Sequence, residues 1–115
     1  MAMARERLAA AHAALHAGSS SSAASLAYYA MLYAARAALS EEDRYAKTHA
    51  GTWGLFRQSF VEPGRFDGEL FERAHKTQPV REGADYDARI IPPEQAEAIV
   101  ALAERFVAAV AEVFP

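Results

Sequence analysis

Hydrophobic positions recur along most of this chain at intervals of three and four, and the exception, Ser22 to Leu39, is apolar almost all the way round. That stretch reads SAASLAYYAMLYAARAAL, with Arg36 as its only charged side chain over roughly five turns. A helix apolar on every side cannot lie on a surface, so the other elements must wrap it. Its apolar run, Ala23 to Ala35, is too short and too punctuated by Tyr28, Tyr29 and Tyr33 to span a bilayer, and it suits a buried core helix. Tyrosine hydroxyls inside a protein need partners. We read the three tyrosines mostly as core, one of them reaching a contact surface, where tyrosine is common.

The flanking segments are patterned as amphipathic helices. Met3 to His16 places Leu8, Ala11 and Leu15 at helical spacing and stops at Gly18; GSSSS then makes a tight turn in which a serine caps the central helix. After Leu39 comes a polar loop, SEEDRYAKTH. Thr48 caps a third helix over 49–61, HAGTWGLFRQSFV, which presents Trp53, Phe56 and Phe60 on one side and ends at Pro63 and Gly64. Asp67 caps a fourth, with Leu70, Phe71, Ala74 and Thr77 at three- and four-residue spacing. Pro79 should kink it, and beyond the kink the same stripe carries Arg81 toward packed surface. Ile90 to Pro93 is extended. Pro93 opens the last helix with Glu94 and Glu97 near its start, and Ala96, Ile99, Val100, Ala103, Phe106, Val107, Val110 and Phe114 form its apolar stripe. No segment alternates like a half-buried strand and no internal repeat is visible. The pattern predicts an all-α fold, an up-and-down four-helix bundle with an additional short helix, in five helical segments.

Composition narrows this without adding chemistry. The 115 residues, 52% hydrophobic, suit a single domain over 1–115 with one core. The absence of cysteine excludes disulfides, thiolate zinc sites and a cysteine nucleophile, and fits a cytoplasmic location. The basic, alanine-rich start has the outline of a signal peptide, but His12 and His16 interrupt its would-be hydrophobic core. A net charge of -3 argues against a generally basic nucleic-acid binder, so any phosphate recognition must be local.

Several motifs together resemble the HEPN domain: AxLAYYAMLYAARAAL at 24–39, KTHxGxxxLF at 47–56, FV at 60–61, RxxADY at 81–86, and a last helix that opens PPEQAEAI and closes AxRFVAAV. The order is right and nearly the whole chain is covered, although the first helix is short. The resemblance implies a helical bundle that dimerises, works beside a minimal nucleotidyltransferase partner in a two-component or toxin-antitoxin pair, and in many branches cleaves RNA without metal. No cofactor, no metal and no membrane association are expected. Ribonuclease branches carry an Arg followed four to six residues later by His, late in the bundle. Here that stretch has Arg81 and Tyr86 but no His, which places nuclease activity in question. Arg44 and His49 fit the bare spacing, yet they lie before the third helix, and so loose a pattern arises often by chance.

The candidate site residues follow from that resemblance together with their chemistry. Metal-free RNA cleavage needs a base for the 2'-hydroxyl proton, an acid for the leaving oxygen, and positive donors for the phosphate. Arg81 is either a phosphate clamp oriented by Asp85 or one half of an Arg81–Asp85 ion pair fastening a helix end. Tyr86, a poor base at its usual pKa near 10, either stacks on a base, bonds a phosphate or takes a modification from the partner, or else edges the core. His49 lies beside Lys47, Thr48 and Gly51 at a helix start, where free N–H groups suit phosphate; alternatively it only caps and packs. If packing brings His49 near Arg81, a divided acid-base and clamp site results. His12 and His16, one turn apart, lack a third ligand on their helix and read as solvent-facing. His75, Arg73 and Lys76 form a small basic cluster, neutralised by Glu69 and Glu72. The readings in competition are a dimeric nucleotide- or RNA-binding module, a metal-independent RNase using Arg81 and His49, and a purely structural oligomer.

Overall fold

The computed structural model describes residues 1–86 and 90–115, with side chains described outside 84–89. The helices are α1 (Ala2–His16), α2 (Ser20–Glu41), α3 (His49–Phe56), α4 (Gly68–His75), α5 (Thr77–Tyr86) and α6 (Pro93–Val113); α3 runs on into a π-helical turn, Arg57–Val61. With α4 and α5 taken as one broken helix these are the five predicted segments, and no strand occurs among the described residues.

The central helix is central. α1, α3, α5 and α6 all pack on α2. Its alanines at 23, 24, 27, 30, 34, 35 and 38 are buried, as are Met31, Leu32 and Leu39. Small side chains let neighbouring backbones come close, which is how one helix accommodates four others at normal interior density. The stripe of α6 is buried from Ala96 to Val110, and its Phe106 joins Phe56, Phe66 and Trp53 in an aromatic cluster with ring centroids 5.0 to 5.9 Å apart.

The predicted helix ends hold where the signal is local. Thr48 Oγ accepts the Gly51 N–H at 2.9 Å, and the Asp67 carboxylate accepts from Glu69 and Leu70 N–H at 2.9 and 3.3 Å. Pro93 opens α6. Two expectations need correction. The serine run is not all turn: Gly18, at φ +80, makes the reversal, Ser19 is the cap position, and Ser20 to Ser22 already form the first turn of α2. Nor does the chain kink at Pro79. It breaks at Lys76, and α5 restarts at Thr77, whose hydroxyl donates to Ala74 O at 2.6 Å. Restarting there puts Pro79 in a first turn, where its missing N–H has no intrahelical role to fill.

Candidate functional site

The site forms where α5 and the start of α3 meet one face of α2. Thr48 ends the loop in extended geometry and turns His49 back onto α2. There the imidazole meets Tyr28 and Tyr29, with ring centroids at 5.8 and 5.9 Å. Arg81 arrives from α5 on the continuation of the α4 stripe and is 4% exposed. Its guanidinium lies over both tyrosine rings, 5.2 Å from the centroid of Tyr28 and 5.5 Å from that of Tyr29. Arg81 Nη1 donates to the Tyr29 hydroxyl at 3.3 Å, and Nη2 lies 3.8 Å from the Glu82 carboxylate.

Bundle packing thus brings together two residues that are far apart in sequence: Arg81 Nη2 lies 3.5 Å from His49 Nδ1. The same nitrogen lies 3.3 Å from the Tyr28 hydroxyl, which in turn accepts the Trp53 indole N–H at 3.1 Å. These contacts bear on the imidazole's polarity. Guanidinium can only donate, and a tyrosine oxygen that already accepts from Trp53 is free to donate its own proton, so the tautomer that satisfies both contacts has Nδ1 accepting and the ring proton on Nε2. Burial and then the charges of Arg81 and Arg36 hold the His49 pKa below the usual histidine value, with Glu82 opposing. His49 is therefore neutral at pH 7. Burial likewise pushes the Tyr28 hydroxyl pKa up, so it remains protonated.

Arg36 supplies the second cation. Its Nε donates to Thr52 Oγ at 3.3 Å, and that hydroxyl donates to Thr48 O at 2.8 Å, tying α2 to the first turn of α3. Of the predicted phosphate set, Lys47 is exposed beside this turn. The Gly51 N–H is not available to a ligand, because Thr48 Oγ holds it. The side chains of Asp85 and Tyr86 lie outside the described residues.

The other histidines lie elsewhere. His12 is not simply in solvent: its Nε2 pairs with Glu104 of α6 at 2.8 Å. His75 leans on Trp53 and Phe71, with centroids 5.9 and 5.8 Å away. Tyr28 is the site residue that sequence reasoning left in the core, and the signal for it was present: a phenol hydroxyl on an otherwise apolar helix must bond something.

An all-helical bundle built around an alanine-rich central helix fits the fold of an HEPN domain. The HEPN domain family model matches residues 1–113, and the chain belongs to that family. Such domains are typically associated with nucleotides or RNA and commonly dimerise. Among its relatives is the UPF0332 protein glr0978 of Gloeobacter violaceus, 34% identical over 80 residues, which are 70% of this chain and 64% of that protein. The chain thus aligns with under two thirds of that relative's length. Among the described residues no helix is long and apolar enough to cross a membrane.

Proposed function

We propose that this chain is a dimeric HEPN module that binds the phosphate of RNA or of a nucleotide at the junction of α2, α3 and α5, in company with a minimal nucleotidyltransferase. The observation that carries the reading is the His49 Nδ1 contact, held between Arg81 Nη2 at 3.5 Å and the Tyr28 hydroxyl at 3.3 Å. With Nδ1 turned inward, the Nε2–H lies on the opposite edge of a half-buried ring, and it has no partner among the described residues. A fixed N–H donor flanked by Arg36 and Lys47 suits an anion. Arg81, almost wholly buried, acts through its field and by holding the imidazole rather than by touching the ligand.

This polarity supports binding over catalysis. A general base needs a free lone pair, and the inward one is in use while the outward nitrogen carries the proton. The RNase reading with His49 and Arg81 rests on one specific feature. Tyr28 Oη has a second lone pair, so turning its O–H away would let it accept from Nδ1–H and free Nε2 to act as a base. Tyr86 and Asp85 would belong to that reading, Tyr86 as a stacking or phosphate-bonding group and Asp85 as the partner orienting Arg81.

The test is one mixture of purified protein and fluorescein-labelled single-stranded RNA in EDTA, read by anisotropy and by gel. Binding without cutting, weakened in His49→Ala, supports the module. Cutting that is lost in both His49→Ala and folded Arg81→Ala makes it an RNase. Neither binding nor cutting leaves a structural oligomer. Co-purification with a small nucleotidyltransferase tests the partner, and light scattering showing a monomer at high concentration would count against the dimer.

A further inference from the structure

The aromatic contacts do not stop at His49. Its ring meets Tyr29 edge-on, and Tyr29 is stacked on Tyr33 with centroids 6.2 Å apart and planes at 30°. Arg7 of α1 lies over the Tyr33 ring at 5.6 Å. Past Tyr33 the surface opens into a hollow of about 420 Å³, lined among others by Met3, Tyr33, Arg36, Ala37 and Tyr45. Two large apolar side chains are conspicuously exposed there, Met3 at 50% and Tyr45 at 73%.

Among the described residues Arg36 is the one charged side chain lining the hollow, and its charge also acts on His49. Its Nε donates to Thr52 Oγ at 3.3 Å, and its remaining N–H groups have no partner among the described residues. Two aromatic faces, one anchored cation and a phosphate-suited donor in continuous succession are the elements of a single-strand binding track. Every base offers a π-face to tyrosine, and arginine serves the backbone between. A duplex hides those faces, so the arrangement selects an unpaired strand.

We propose that this hollow is a nucleobase subsite. One unpaired base of a single-stranded RNA stacks on the exposed Tyr45 and packs against the part of Tyr33 that lines the hollow, and Arg36 bonds the backbone leading to the phosphate at His49. The assignment rests on the phosphate-binding reading of His49 and adds the ligand's class, an oligonucleotide with at least one splayed base.

The two are separated by comparing a short labelled oligouridylate with an abasic sugar-phosphate oligomer of equal length, by anisotropy, on the whole protein. Tyr45→Ala, at an exposed position where folding is not at stake, and Tyr33→Leu should each weaken oligouridylate binding by about 5- to 150-fold. Both should leave binding of the abasic oligomer unchanged, while His49→Ala weakens both ligands. If the wild type binds the two ligands equally and the tyrosine variants change nothing, the subsite is overturned and the phosphate site stands. If His49→Ala but neither tyrosine variant abolishes the preference for bases, the base lies elsewhere and the subsite is again overturned. If the wild type binds neither ligand, the phosphate reading fails and takes the subsite with it.

Discussion

Replacing Tyr28 by Phe removes one oxygen from the middle of the protein and leaves its shape intact. In the native state that oxygen accepts the Trp53 indole N–H at 3.1 Å, and both residues are fully buried. The variant strands a donor where water cannot reach it, at a cost of about 2 kcal/mol, within the range of about 1 to 3 for an unsatisfied buried group. A chain of 115 residues has an unfolding entropy of about 0.24 kcal/mol/K near its midpoint, so the expected fall in Tm is about 8 °C. Trp53 is the only tryptophan, so its emission reports unfolding where it is present, and far-UV circular dichroism reports it in variants that lack Trp53 as well. The decisive comparison is a double-mutant cycle. In a Trp53→Phe background no indole N–H remains to be stranded, so the further Tyr28→Phe change should cost about 1 kcal/mol less than it does alone. A Tyr28→Phe cost below about 0.5 kcal/mol, equal in both backgrounds, would refute the bond and with it the fixed polarity of His49.

Two further outcomes follow from the same region. Because the folded-state pKa of His49 is lowered, the unfolded chain binds the extra proton first as pH falls; its contribution to stability is present above about 6.5, is lost down through the lowered value and is flat beyond it. In urea titrations His49→Gln should remove that slope, and Arg36→Gln should move the His49 NMR titration upward; a His49 titration unmoved by Arg36→Gln would contradict the electrostatic account. At Gly51, an added Cβ would fall 2.8 Å from Thr48 Oγ, displacing the cap, which is worth about 1 kcal/mol. Gly51→Ala should therefore be neutral or destabilising alone yet stabilising by about 0.5 to 1 kcal/mol in a Thr48→Ala background, where only the gain in helix propensity remains. The same sign in both backgrounds, by thermal unfolding, would sink that reasoning.

What could be read in the sequence was whatever depends on a few neighbouring residues or on the absence of a polar face. Thr48, Asp67 and Pro93 act within one turn of themselves, and α2 had to be buried because it offers water nothing but Arg36. The joint at Lys76 was misplaced by three residues because a proline can be accommodated in two ways. It can bend a continuing helix, or it can be absorbed by a new first turn, and the Thr77 hydroxyl on Ala74 O goes with the second. The π-helical turn at Arg57–Val61 had no signal in residue type; it is accompanied by Arg44 Nη1 donating to Ser59 Oγ at 3.0 Å, a pairing set by the fold. The site was half legible. His49 and Arg81 could be named by chemistry and resemblance, but their approach depends on how α3 and α5 both land on α2. Thr48 was read as offering its helix start to phosphate when its own side chain occupies the nearest donor.

Enclosure of α2 by four other helices has a kinetic meaning as well. Its middle amides carry Ala27, Tyr28, Ala30, Met31, Leu32, Ala34 and Ala35, all buried against other helices, so fraying of a single element does not expose them. Deuterium should enter the backbone between Ala27 and Ala35 only when the whole bundle opens, later than anywhere else in the described chain. Those amides would then report the global unfolding free energy directly, under native conditions and without denaturant. The rim of the site, at Tyr45 and Lys47, would exchange within the dead time of the same experiment.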